Sequence, residues 1–198
     1  MSNGEAAGAA DSEARRTSHV ARRTLAERCA AVELLVVDVD GVLTEGGIVY
    51  GTGDLEIKRF HVRDGFGLRA WQKLGKRTGL ITGRSSAVVE LRAREVGIEF
   101  VHQSAADKLP AYRRLLDEAA ARAESVCYIG DDLPDLPPMH ECGLAVAVAD
   151  ACAEVRADAH YITRTAGGRG AVRETIELIL RAQGHWERLV EKLSERGA

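Results

Sequence analysis

In Leu34-Leu35-Val36-Val37-Asp38-Val39-Asp40-Gly41-Val42-Leu43-Thr44, four consecutive apolar residues stop at two carboxylates spaced two positions apart. A short continuous apolar run of this kind predicts a strand buried on both faces, as in a parallel sheet covered by helices. Asp38 and Asp40 then stand where the chain leaves that sheet. A lone D-x-D is common, and a solvated strand end or turn accounts for it as well as catalysis does.

Outward from this stretch the pattern alternates. Leu80-Ile81, Phe100-Val101, Val126-Cys127-Tyr128-Ile129 and Leu144-Ala145-Val146-Ala147-Val148 read as further strands. Helical patterns lie between them at 66–75, 86–96, 107–122 and 135–142. Strands alternating with helices predict an α/β fold of Rossmann type around a parallel central sheet, and ligands of such sheets bind beyond the carboxyl ends of the strands. Two segments break the rhythm. Ile48-Val49-Tyr50 and Leu55 to Phe60, joined by Gly51-Thr52-Gly53-Asp54, predict a projecting β-hairpin flap. Gly167-Gly168-Arg169-Gly170 introduces a helix with Val172, Ile176, Ile179 and Leu180 on one face. Residues 1–18 carry no apolar period and are expected to be a flexible leader. Residues 19–184 form the expected domain, preceded in its first part by an Arg-rich helical pattern at 20–31, and 185–198 a helical tail.

Composition excludes several classes. The chain has 198 residues, and its formal net charge of -3 offers no general attraction to nucleic acid or anionic lipid. No run of about 18 apolar residues occurs, so no membrane partner is expected. Cys29, Cys127, Cys142 and Cys152 form neither a C-x-x-C pair nor a zinc-ligand spacing, and they read as buried or incidental thiols in a reducing, cytoplasmic compartment.

Three further signals follow Asp38-Val39-Asp40 in order. Ile81-Thr82-Gly83-Arg84 sets a hydroxyl and free backbone amides at a helix start, a natural phosphate cradle. Lys108 opens a helix; standing alone it would be an ordinary exposed lysine. Ile129-Gly130-Asp131-Asp132-Leu133-Pro134-Asp135 brings three more acids directly after a strand. Asp38, Asp40, Asp131, Asp132 and Asp135 on one rim would repel one another without a cation. An all-oxygen set of this kind suits a hard ion such as Mg²⁺.

D-x-D, T-G, Lys and G-D-D-x-x-D in this order resemble the haloacid dehalogenase (HAD) superfamily over residues 34–184. That resemblance implies Asp38 as a nucleophile that becomes an aspartyl-phosphate, and Asp40 as general acid and then general base. Thr82 and Lys108 would hold the phosphoryl oxygens. Mg²⁺ would be bound by the Asp38 and Asp131 side chains and the Asp40 carbonyl, with Asp132 and Asp135 supporting the metal and the lysine from outside. The second acid, Asp40, favours a phosphatase over a dehalogenase, because a sugar alkoxide leaves only when protonated.

Relatives with large caps insert them between D-x-D and T-G or after T-G. Residues 41–81 here hold only the hairpin and one helix, and 83–107 only a helix and a strand, so no large cap domain is expected. The site is then open, to be covered by a neighbouring subunit or used on a macromolecule. His61-Val62-Arg63-Asp64-Gly65, Arg69, Arg84, Arg92 and the Gly167–Gly170 turn are similar to the 3-deoxy-D-manno-octulosonate 8-phosphate phosphatases of lipopolysaccharide precursor synthesis. The resemblance implies a small sugar-acid phosphate substrate and a homotetramer in which hairpin and C-terminal segments cover a neighbouring site. His61, Val62, Arg63, Asp64, Gly65, Arg69, Arg84 and Arg92 would line the substrate pocket together with Asp40 and Lys108. Arginine suits a carboxylate ligand because its guanidinium pairs with it bidentately. Removing the chain beyond Ala166 is expected to weaken activity by loss of a covering tail. Ser104 departs from the family, which usually has glycine there. Alternatives are a phosphatase for nine-carbon keto-sugar acid 9-phosphates, a non-catalytic oligomerisation module and a capless protein phosphatase.

Overall fold

The computed structural model describes residues 23–53 and 55–195, so the expected leader at 1–18 lies outside the described residues. Its first helix, α1 (Leu25–Ala30), is the described part of the Arg-rich pattern. Thr24 opens it with a capping box, its hydroxyl accepting from the Glu27 amide. The strands are β1 (Leu34–Val37), β4 (Arg77–Ile81), β5 (Phe100–His102), β6 (Val126–Gly130), β7 (Leu144–Ala147) and β8 (Tyr161–Ile162), with the hairpin strands β2 (Val49–Tyr50) and β3 (Glu56–Ile57) between the first two. The helices after α1 are α2 (Val62–Gln72), α3 (Ala87–Val96), α4 (Lys108–Glu118), α5 (Leu136–Glu141), α6 (Ala153–Asp158), α7 (Ala171–Ala182) and α8 (Trp186–Glu195).

Six strands make one sheet in the order β5-β4-β1-β6-β7-β8, with every neighbouring pair parallel. The run Leu34 to Val37 is at its centre and fully buried, which is why it reads as continuous rather than alternating. Val37 is level with Leu80 of β4 on one side and Ile129 of β6 on the other. Strand order reverses at β1, and the crevice at that reversal is where Asp38 emerges.

The differences from the sequence reading concern short or weakly apolar segments. The α2 helix begins at Val62 rather than 66; Val62 and Arg63 are exposed, so its first turn carries no apolar stripe toward the core. Strand β8 and helix α6 were not legible, because a two-residue strand and a six-residue helix are too short to show a period. The hairpin ladder pairs only Val49 with Ile57 and Tyr50 with Glu56, shorter than the runs 48–50 and 55–60. The helix expected over 107–122 stops at Glu118, followed by Ala120 at φ 46°.

The described segment beyond Ala166 carries part of the core. Val172, Ile176, Ile179 and Leu180 of α7 are fully buried, and Trp186 at the start of α8 is 5% exposed and belongs to the same core. Arg173 lies between the rings of Phe66 and Trp186, its guanidinium carbon 5.0 and 4.6 Å from their centroids, and so joins α2, α7 and α8. Burying an aliphatic side chain contributes about 1.5–3 kcal/mol, and a domain's net stability is only about 5–15 kcal/mol. Truncation after Ala166 is therefore expected to abolish the cooperative thermal transition measured by circular dichroism. A truncated chain that melts normally and only turns over more slowly would restore the covering-tail reading.

Among the described residues no helix is long and apolar enough to cross a membrane. Cys29, Cys127 and Cys142 are buried free thiols.

Candidate active site

Three strand ends and one helix start converge on a cleft of about 310 Å³ lined by Asp38, Asp40, Thr82, Gly83, Arg84, Ala105, Ala106, Lys108, Asp131, Asp132, Pro134 and Asp135. Asp38 and Asp40 arrive from β1, Thr82 and Arg84 from β4, and the three later acids from β6. Lys108 is the first residue of α4, whose preceding Asp107 accepts from the Leu109 amide.

The turn after β1 is built for close approach. Gly41 has φ 102°, a conformation that disfavours side chains, and a Cβ placed there would lie 2.0 Å from Asp131 Oδ2. The D-x-D turn and the acids after β6 therefore touch through bare backbone. Behind the turn, Gly168 N donates to Val42 O at 2.9 Å and Gly167 N to Asp150 Oδ1 at 2.9 Å, so the glycine-rich loop braces the Asp38–Asp40 turn of its own chain.

Asp38, Thr82 and Lys108 are buried at 4%, 2% and 5% exposure, which makes their polar atoms dependent on one another. Lys108 Nζ is 2.9 Å from Asp38 Oδ1 and 2.6 Å from Asp135 Oδ1. Burial would lower the lysine's pKa, but the two carboxylates outweigh it and the net shift is upward, keeping the ammonium charged. Asp135, with no exposed surface, accepts from Lys108 and Tyr128 through Oδ1 and from the amides of Asp131 and Asp132 through Oδ2. Its lone pairs are committed to holding the lysine and the acidic loop.

Asp38, Asp131 and Asp135 each bring one oxygen within 4.8 Å of the others. Because Asp135 is already saturated, the free donors in this set are Asp38 and Asp131. Asp131 Oδ1 is buried without a hydrogen-bond partner. Burial, then the neighbouring Asp135 carboxylate, pushes the Asp38 pKa up to about 6 against the opposing pull of Lys108. Burial, then Asp38 and Asp135, pushes Asp131 up to about 8. An orphaned buried oxygen among crowded hard donors fits a divalent cation, which would replace the shared protons.

Of the remaining expected site residues, only Arg84 lines the cleft. Arg84 reaches the cleft, its Nε 3.9 Å from Asp40 Oδ2. His61, Asp64, Gly65 and Arg92 meet in a separate small recess with Phe60 and Leu68. Asp64 is 1% exposed, and its Oδ1 accepts from the Arg173 amide at 2.7 Å, so it caps α7 from α2. Gly65 leaves room for Arg92: a Cβ there would come within 2.4 Å of the guanidinium, which also lies 5.5 Å from the Phe60 ring. Val62 and Arg63 face outward at the start of α2. Arg69 sits in a groove with Phe66, Lys73, Leu189 and Leu193, between α2 and α8. Ser104, where glycine was expected, has φ 58°, the left-handed conformation for which glycine is the usual residue. It holds the loop before Lys108 without removing a cleft residue.

Two residues escaped the sequence reading. Tyr128 lies within an apolar strand run, but its hydroxyl donates to Asp135 at 2.8 Å, a partner that its place in an apolar run does not announce. Lys58, on the hairpin, is ion-paired with Asp40 although its side chain is only 1% exposed. Glu56-Ile57-Lys58 places its two charges on one face of a strand, but nothing in the sequence says that this face meets Asp40.

Residues 91–176 match the haloacid dehalogenase-like hydrolase family. The 3-deoxy-D-manno-octulosonate 8-phosphate phosphatase of Yersinia pestis is 47% identical over 161 residues, 81% of this chain and 86% of that protein. The fold is similar to the crystal structure of the Moraxella catarrhalis phosphatase of the same name in complex with magnesium ion, phosphate ion and KDO, with TM-score 0.83 and 41% identity over 85% of this chain and 97% of that one. It is also similar to the cobalt-bound Haemophilus influenzae enzyme, with TM-score 0.78 and 36% identity over 80% and 93% of the respective chains.

Proposed function

Since the chain belongs to the 3-deoxy-D-manno-octulosonate 8-phosphate phosphatases within the haloacid dehalogenase-like hydrolases, we propose that it hydrolyses that sugar-acid phosphate to the free sugar acid and phosphate. The observation that carries the reading is the buried Asp38–Lys108 contact in a cleft that also presents Asp40 and Thr82. Asp38 is the nucleophile: its free carboxylate oxygen attacks phosphorus, an Asp38 O–P bond forms and the P–O bond to the sugar breaks. Asp40 gives its proton to the departing sugar oxygen. Asp40 then accepts a proton from the water that attacks the aspartyl-phosphate, and Asp38 is released together with inorganic phosphate. Lys108, held charged by Asp38 and Asp135, balances charge on the phosphoryl oxygens, and the Thr82 hydroxyl orients them.

Mg²⁺, when bound, neutralises negative charge between the phosphoryl group and the acids. Asp38, Asp131 and the Asp40 carbonyl would hold it. The unpartnered Asp131 oxygen and the approach of the Asp40–Gly41 backbone to that carboxylate support this set. Asp132 and Asp135 support the loop from outside.

Arg84 binds the sugar-acid part from within the cleft, His61, Val62, Arg63, Arg69 and Arg92 contribute from outside it, and the buried Asp64 and Gly65 hold the His61–Arg92 recess in place. Their separation from the cleft in one chain, together with the exposed Val49, Tyr50 and Ile57 of the hairpin, supports a homotetramer in which neighbouring subunits complete the pocket. The enzyme acts in the cytoplasm, where buried free thiols persist. Phosphate release with Mg²⁺ should be fastest from the eight-carbon acid 8-phosphate, compared with nine-carbon keto-sugar acid 9-phosphates and hexose phosphates. Faster release from a nine-carbon acid would move the substrate and keep the chemistry; no release from any would overturn the enzyme reading.

A further inference from the structure

Around Asp40 the hairpin and the loop after β4 form a ring of alternating charge. Lys58 Nζ is ion-paired with Asp40 Oδ1 and lies 3.5 Å from Glu56 Oε1. Arg84 completes the ring, 3.6 Å from Glu56 Oε1 and 3.9 Å from Asp40 Oδ2. The ring is anchored at both ends. Ser86, the N-cap of α3, donates its hydroxyl to Glu56, and Arg84 donates to the Tyr50 hydroxyl at 2.8 Å.

The Lys58 side chain is 1% exposed, whereas those of Asp40 and Arg84 are 19% and 38% exposed and line the cleft. Lys58 is therefore walled off from solvent and substrate behind the carboxylate that it contacts. A buried ammonium is costly unless it is paired, so its location is set by Asp40 and Glu56. With Oδ1 occupied by Lys58, Oδ2 is the oxygen left for proton exchange in the cleft.

We propose that Lys58 is a positioning residue that fixes the Asp40 carboxyl so that its Oδ2 meets the leaving-group oxygen, which makes the hairpin part of the proton-transfer apparatus of its own chain. The proposal rests on the reading of Asp38 as nucleophile and Asp40 as acid. Proton delivery depends on hydrogen-bond reach to the departing oxygen, whereas attack by Asp38 does not require the Asp40 carboxyl to be aligned. Loss of Lys58 should therefore matter only when the leaving group needs a proton.

The experiment compares kcat/KM, which covers the steps through leaving-group departure, for two substrates in the full-length protein. One is the eight-carbon sugar-acid phosphate, whose alkoxide must be protonated; the other is p-nitrophenyl phosphate, whose phenolate leaves without a proton. For Lys58→Met, kcat/KM on the sugar-acid phosphate should fall by about 10²-fold, with less than about a threefold change on the aryl phosphate. Asp40→Asn should lose at least as much on the sugar-acid phosphate, and Lys58→Arg, which keeps the charge, should recover most of the loss. Equal losses on both substrates, no loss on either, or Met and Arg variants equally impaired would overturn the role of Lys58. An unsubstituted protein inactive on both substrates would instead overturn the phosphatase reading beneath it.

Discussion

Asp38→Asn is expected to lower phosphate release from the sugar-acid phosphate by at least about 10³-fold while leaving the protein folded. The substitution keeps the size of the side chain and the Asp38 backbone bond to Ile129 O, 3.1 Å long, but an amide cannot form the phosphoryl ester. Lys108 retains its 2.6 Å contact with Asp135, so the buried ammonium is not left alone. The change should not weaken the metal-free protein at neutral pH. Asp38 is a carboxyl whose ionisation is disfavoured by burial and by Asp135, and removing it relieves repulsion with Asp131. Activity and melting temperature, measured on the same preparation, check both halves. Turnover within about tenfold of the unsubstituted protein would remove Asp38 as nucleophile, and a lost thermal transition would assign it a structural role.

Removing divalent metal should abolish turnover, and adding Mg²⁺ should restore it. The same acids predict how stability depends on pH. Folding raises Asp38 from 3.8 to about 6 and Asp131 from 3.8 to about 8, so in those windows the metal-free folded chain holds more protons than the unfolded chain. Stability from these two groups is therefore fully present below the unfolded value, falls as pH rises, and is lost once pH passes the folded values. Mg²⁺ competes with those protons, so its stabilising effect should grow across the same range. Melting temperatures with Mg²⁺ and with chelator, from about pH 5 to about pH 8, test the sign. A Mg²⁺-induced increase that is largest at the acid end, or full activity in chelator, would contradict the placement of the cation between Asp38 and Asp131.

The sequence by itself determined the parallel α/β fold and the composition of the cleft. Leu34 to Val37 is buried on both faces and Val126 to Ile129 beside it, and a continuous apolar run is the direct imprint of that environment. Asp38, Thr82, Lys108 and Asp131 were legible because each stands immediately beyond such a strand or at the start of a helix, where local pattern and chemistry coincide. Only the tertiary structure decided the contacts that join distant segments. Asp64, expected in the pocket, also caps α7 through the amide of Arg173, 109 positions away in the chain. Asp135, expected to support the lysine from outside, does so together with Tyr128 and two amides, contacts that no local pattern specifies. The chain beyond Ala166, expected as a cover, carries part of the core. Lys58 reached Asp40 because a two-stranded hairpin folds back over the turn that follows β1. Periodicity records which face of an element is buried; it does not record what that face meets. That depends on register, crossover and close approach at residues such as Gly41, which arise only when the whole sheet is assembled.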